Sequence, residues 1–263
     1  MRGEEIDSTE VTERGLLGDR AYALLNLANG KVISAKNPRK WSRMFQCAAA
    51  FVESPRQGDR PPAVNIRLPD ARVVRSDDAD LEQVLGLALE GQVRLVRTPP
   101  AEALVEYVDV LSPGEPVTDF PPAGASPAGT FFDYAPIHLL TLSTLRRFQA
   151  LNPGSRFDAR RFRPNVMIEP EGGPDGFVEL EWVGRRLQIG DQVQIQIIDP
   201  APRCVMTTIA QGDLPHDPAI LRTAMEHNRV PVSAFGQALP CVGVYGAVLQ
   251  GGAVRLGDPV RAE

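Results

Sequence analysis

Apolar and polar residues along this chain fall into many short stretches, and the period-two stretches are the clearest. Val64-Asn-Ile-Arg-Leu68 alternates strictly, as a half-buried strand does. Gln192 to Ile198 alternates too, with Val193, Ile195 and Ile197 on one face and three glutamines on the other, which predicts a one-sided antiparallel strand. Arg20–Asn26 and Lys31–Ala35 read as strands around Asn29-Gly30, two residues that tolerate positive φ. Phe45–Val52, Val93–Val96 and Ile137–Leu140 are further short apolar runs. Three segments read as helices. Asp77–Leu85 has acidic residues at its start, where they suit the helix dipole. Ser143–Leu151 has Ser143 as N-cap and Asn152-Pro-Gly as its stop. Asp217–His227 opens on an aspartate cap with proline at the first helical position.

The chain closes with two strands, Gly243–Gln250 and Ala253–Ala262, joined around Gly251-Gly252. A small echo links Leu187-Gln-Ile-Gly-Asp-Gln-Val193 to Val254-Arg-Leu-Gly-Asp-Pro-Val260; Gly-Asp within a strand pattern marks a bulge or sharp bend. The expected fold is therefore mainly β with a few helices (α+β), bent into a barrel. Around residues 98–130 the pattern breaks down into Pro, Gly, Ser and Ala, and a connection of that length is either a linker or a loop over a site. The expected organisation is an N-terminal β domain over 1–98, a proline-rich crossing over 99–130 and a β-barrel domain over 131–263.

Composition narrows the classes. Hydrophobic content of 43% and charged content of 23% are those of a globular protein, and a net charge of −5 argues against a nucleic-acid binder. No apolar run is long enough for a bilayer, and the N-terminus has no apolar h-region. Cys47, Cys204 and Cys241 are scattered and odd in number, so the expectation is a reducing cytoplasm rather than a disulfide framework. The 24 prolines and 23 glycines add to the case for many turns and short strands.

Candidate chemistry centres on Asp199-Pro-Ala-Pro-Arg-Cys-Val-Met-Thr-Thr208. Cys204 is a packing residue or a soft metal ligand; the neighbouring Arg203 would favour its thiolate, and Pro200 and Pro202 would fix its direction. Cys47 and Cys241 lie within apolar runs and read as packing. Arg160-Arg-Phe-Arg-Pro-Asn165 is an anion site or a solvated arginine patch. Arg14, Arg20, Lys36, Arg39, Lys40 and Arg43 form a second basic group, so an anionic small ligand between the two is the expectation. His138 reads as a core residue, and His216 and His227 as surface or capping groups. There is no Cys-x-x-Cys pair, phosphate loop or dinucleotide fingerprint.

Taken together, Gly15-Leu-Leu-Gly-Asp-Arg-Ala-Tyr22, Ser34-Ala-Lys-Asn-Pro-Arg39, Phe162-Arg-Pro-Asn-Val166, Pro202-Arg-Cys-Val-Met-Thr-Thr208 and Gly257-Asp-Pro-Val260 resemble the MOSC family, named for the C-terminal domain of molybdenum cofactor sulfurase, with its N-terminal β-barrel-like partner domain. They span nearly the whole chain in order, and the chain is similar to bacterial relatives of the mitochondrial amidoxime reducing component. The resemblance implies the molybdenum cofactor, with Cys204 as the catalytic metal ligand. It also implies that Arg163, Asn165, Pro202, Arg203 and Thr207 line the pterin and its phosphate, with Arg20 and Lys36 approaching from the N-terminal domain. Family members begin with an extra strand ending in Lys-Ser; this chain starts at Met1-Arg-Gly3, and a start assigned too late is the expectation.

The function implied is a two-electron oxidoreductase acting on N-hydroxylated or N-oxide compounds. Since no ferredoxin-like extension follows Glu263, a ferredoxin-, flavin- or cytochrome-type protein is the expected electron donor. The alternative is a cofactor or sulfur carrier using a Cys204 persulfide, since MOSC domains also occur fused to pyridoxal-phosphate desulfurases; no pyridoxal-phosphate domain is evident here. A cysteine hydrolase lacks a convincing base.

Overall fold

The computed structural model describes residues 1–34, 36–99, 104–107, 118–120, 127, 130–132, 134–173 and 175–263. Most of the proline-rich 99–130 crossing thus lies outside the described residues. The chain forms two compact units that interleave in sequence: Met1–Glu5, Gly18–Asp133 and Ile209–Pro215 make one, and Ile6–Leu17, Tyr134–Thr208 and His216–Glu263 make the other.

In the N-terminal unit, Val64–Arg67 is the centre strand between Ala48–Phe51 and Val73–Arg75, and its buried-exposed alternation is the one its sequence predicts. Val93–Val96 pairs antiparallel with Ala23–Asn26. The second strand expected at Lys31–Ala35 is reduced to an isolated bridge, Val32 to Leu25, although the Asn26–Lys31 turn closes as anticipated; Ala35 lies outside the described residues. Ala23–Asn26 is held on both edges: Asn26 N donates to Lys31 O and Ile33 N to Leu24 O on one, and Val93–Val96 pairs along the other. The helix runs over Leu81–Leu89, later than predicted. Asp77 and Asp78 sit before it, bound to Arg75, and Leu81, Leu85 and Leu89 set its buried face. These leucines pack with Leu24, Trp41, Cys47 and Ile66 in one core.

In the C-terminal unit, seven strands among the described residues form one sheet, strongly coiled and nearly closed, as in a barrel. Its order is Val166–Ile168, Ile137–Thr141, Gln237–Gln250, Val193–Pro202, Arg186–Ile189 and Val260–Ala262, with Arg229–Val232 added beside the start of Gln237–Gln250. Neighbours are antiparallel except Ile137–Thr141 and Val166–Ile168. The Val193–Pro202 strand changes register against Gln237–Gln250 at three places. Such irregularities bend a strand and tighten its twist, which is how a sheet curls toward closure. The two echoed segments meet on neighbouring strands, Ile189 opposite Val260, with Gly190 N donating to Pro259 O. Ile137, Leu139, Ile189, Val193, Ile195, Ile197 and Val244 fill the interior.

Two helix starts differ from expectation. Thr141, not Ser143, caps Leu142–Leu151, its hydroxyl accepting from Thr144 N at 3.1 Å. Ser143 is turned instead to Gly176, with hydrogen bonds to both its N–H and its carbonyl. Ala219–His227 starts later than expected, with Pro218 at the N-cap position rather than the first helical one, although Asp217 Oδ1 still accepts from Ala219 N.

Candidate functional site

The sheet delivers Cys204 at the end of the Val193–Pro202 strand. Pro202 stands opposite Cys241, and the next residue, Arg203, donates its backbone N–H to Pro240 O at 2.8 Å. Beyond Cys204 the chain turns at once into a single 3-10 turn, Val205–Thr208. The Cys204 carbonyl accepts from both Thr207 N and the Thr207 hydroxyl, and Thr208 Oγ1 donates to Val205 O. Two prolines before the cysteine and two threonines after it therefore hold the loop in one shape. Cys204 is partly exposed, whereas Cys47 and Cys241 are buried. Burial pushes the Cys241 thiol up to about 12, against the pull of Arg203, so that cysteine stays a neutral packing group.

The structure sorts the basic run 160–165 residue by residue. Arg160 forks onto Asp158, with Nε and Nη2 at 2.9 and 2.7 Å, and that pairing holds the Asp158 carboxyl below its usual range. Arg161 is 1% exposed. Its Nε donates to Arg156 O and its Nη1 to Thr207 O, the latter in the Cys204 loop, while burial pulls its own pKa down. Arg203 answers from the loop, with Nη2 donating to Phe162 O at 2.7 Å. Two guanidiniums thus cross in opposite directions between the Ala159–Phe162 helix and the cysteine loop. Arg163 ends that helix in the left-handed region, at φ 58, a conformation side-chain-bearing residues adopt reluctantly.

After Pro164, Asn165 is clipped to His138: Asn165 N donates to His138 O, and Asn165 Oδ1 accepts from His138 N. His138 is a buried core residue, its Nε2 2.9 Å from Val242 O. Gly243, at φ 82, leaves room for this, since a Cβ there would fall 2.4 Å from Leu139 O and 2.5 Å from His138 Nε2. Asp199 was missed as an anchor. It is buried, and its two oxygens accept from the Tyr134 hydroxyl and from Ser233 N. Burial and Asp199 together raise the Tyr134 pKa, keeping the phenol protonated.

Pro202, Arg203, Cys204, Thr207, Arg163 and Asn165 are therefore brought together through the loop, the short helix and the strand that follows it. Thr207 is buried, with its hydroxyl turned onto the loop itself. Arg20 and Lys36 belong to the N-terminal unit. Arg20 is the second of these arginines at positive φ (51); it pairs with Asp19, and its guanidinium lies 4.7 Å above the Phe132 ring centroid. Lys36 is half-buried, its backbone N–H donating to Ser34 Oγ.

One atom at the site stands out. Arg203 Nε is buried and has no hydrogen-bond partner. A buried donor without an acceptor costs about 1–3 kcal/mol, so an acceptor beside Arg203 would recover that loss. Among the described residues no cluster of three or more His, Cys, Asp or Glu could hold a metal ion unaided, and no helix is long and apolar enough to cross a membrane.

The C-terminal unit is thus a coiled, nearly closed sheet that presents a cysteine between an arginine and a tight threonine turn. The MOSC domain model matches residues 127–261, and the chain belongs to the MOSC domain family, a molybdenum-cofactor-associated family. Over 135 residues the chain is 30% identical to mitochondrial amidoxime reducing component 2 of Rattus norvegicus, covering 49% of this chain and 37% of the relative's length. It also matches the crystal structure of YiiM from Geobacillus stearothermophilus, with 20% identity, a TM-score of 0.32, and coverage of 49% of this chain and 54% of that one.

Proposed function

We propose that this chain binds the molybdenum cofactor, with the Cys204 thiolate as the protein's ligand to the metal, and reduces N-hydroxylated or N-oxide compounds. The observation that carries the reading is the Arg203-Cys204 pair: a partly exposed thiol on a fixed loop beside a buried guanidinium N–H that lacks an acceptor. When bound, the cofactor would supply a two-electron centre able to accept oxygen from such a substrate. The protein's part is to hold and orient. Pro200, Pro202 and the Thr207 hydrogen bonds fix where Cys204 points. Arg203 offers Nε–H to an anionic pterin or phosphate oxygen while Nη2 stays tied to Phe162 O. Arg163 and Asn165 follow from the same short helix and would line the pterin side. Electron supply from a separate ferredoxin-, flavin- or cytochrome-type protein belongs to the same proposal.

The test is to express the chain in cells with an intact cofactor pathway and measure molybdenum by elemental analysis, then benzamidoxime reduction with an artificial reductant. Bound molybdenum and turnover, both lost in Cys204→Ala, are the expected results. Metal-free protein whose Cys204 carries one added sulfur by mass spectrometry would replace this reading with that of a persulfide carrier.

A further inference from the structure

We propose that the N-terminal unit carries a binding site of its own, for a small organic anion, in the open hollow lined by Tyr22, Arg60, Ser76 and Arg97. The cavity measures about 540 Å3, within the roughly 300–1,000 Å3 typical of small-molecule sites. None of the residues assigned above to the cofactor lines it; Asp77, Leu95, Val96 and Thr98 complete the wall.

Its construction follows from the strand pair beneath it. Ala23 lies opposite Val96, so the residues just outside that pair, Tyr22 and Arg97, come together at one end of the ladder. The Arg97 guanidinium lies 5.0 Å from the centroid of the Tyr22 ring. The tyrosine is fixed in turn by its hydroxyl, which donates to Pro62 O at 2.7 Å. Stacking holds Arg97 in place without using its donors, and its Nε is buried with no hydrogen-bond partner. Arg60 is exposed, and neither arginine has an ion-pair partner among the described residues.

Charge and hydrogen-bonding capacity agree on the sign of the ligand. The Asp77 carboxylate in the wall is already taken by Arg75, whose Nε and Nη2 reach its two oxygens at 2.9 and 3.0 Å. Glu53 and Asp59 line the adjoining hollow that shares Arg60, and neither pairs with it. Ser76 Oγ accepts from Val64 N, which leaves its own proton to give. The wall therefore offers two guanidiniums and hydroxyl protons beside the Leu95–Val96 end of the strand. That surface suits a carboxylate or phosphate monoester on a small apolar body, since a guanidinium recognises either oxyanion through paired hydrogen bonds.

Titration calorimetry of the full chain tests this with benzoate, phenyl phosphate and neutral benzamide. The expected result is saturable one-to-one binding of at least one oxyanion, with the tighter of the two naming the head group and benzamide at least about tenfold weaker. Arg60→Gln and Arg97→Lys should each weaken the oxyanion at least about tenfold, while Arg203→Met leaves it unchanged. Arg60 is exposed, so Arg60→Gln decides the matter alone if Arg97→Lys fails to fold. No saturable binding up to about 10 mM, binding undiminished in both arginine variants, or loss in Arg203→Met would each overturn the proposal.

Discussion

Arg161 and Arg203 show how one side-chain type serves two ends. Arg161 is sealed in the interior, and its Nε and Nη1 bond to backbone carbonyls, one of them in the Cys204 loop, so its work is to position that loop. Arg203 spends one arm on the helix and keeps Nε unpaired. Replacing Arg161 with Met would leave the Arg156 and Thr207 carbonyls without its donors, and we expect a loss of about 2–4 kcal/mol in urea unfolding. The milder Arg161→Lys should loosen the loop, and Cys204 should then be alkylated faster than in the parent protein; an unchanged rate would remove Arg161 from its positioning role. Gly243→Ala combines an unfavourable φ of 82 with a Cβ 2.4 Å from Leu139 O, so the denaturation midpoint should fall sharply.

Two short helices in the C-terminal unit are anchored by carboxyl groups that respond to pH in opposite senses. At the start of Leu142–Leu151, Glu179 is 1% exposed, and one of its oxygens accepts from the Thr141 and Thr144 hydroxyls, each at 2.7 Å. Burial outweighs those bonds and raises its pKa, so the folded protein holds this proton more tightly than the unfolded chain. Its stabilising contribution is full below the ordinary glutamate range and is lost as pH rises through the folded pKa. Glu179→Gln should remove that slope, so urea unfolding at acidic and alkaline pH should show the variant gaining on the parent as pH rises. At the start of Ala159–Phe162, the paired Arg160 lowers the Asp158 pKa. Its contribution is present above the ordinary aspartate range and is lost as pH falls through the folded value, so Asp158→Asn should cost less stability in acid than at neutral pH.

At the scale of the whole molecule, a ligand that binds only the folded state stabilises it by mass action. If Cys204 anchors the cofactor, protein from cells able to make it should melt at a higher temperature than protein from cells that cannot. Cys204→Ala should abolish the difference, whereas an equal gap in the variant would separate retention from Cys204. The sheet supplies the physical basis for this coupling: the loop is continuous with the long Val193–Pro202 strand, so it cannot shift far without disturbing a strand paired on both sides.

Much of this architecture was legible in the residues themselves. Strand 193–198 announced itself because side-chain direction along a strand alternates and one face must be buried, and the Arg203-Cys204 pair stood out because polar donors surround a residue that otherwise prefers apolar neighbours. The chain's order of motifs pointed to the family that the domain match bears out. Other features were decided by the tertiary structure, because they depend on burial and on partners distant in sequence. That Val93–Val96 would pair along the second edge of Ala23–Asn26 depended on a partner distant in sequence. Thr141 displaced Ser143 as a helix cap because Gly176, 33 residues away, engaged the serine. Three neighbouring arginines, alike as charges in the sequence, became an ion-pair partner, a buried clasp and a left-handed helix end, since only the packed structure determines which guanidinium meets a carboxylate, which meets carbonyls and which is left at a turn.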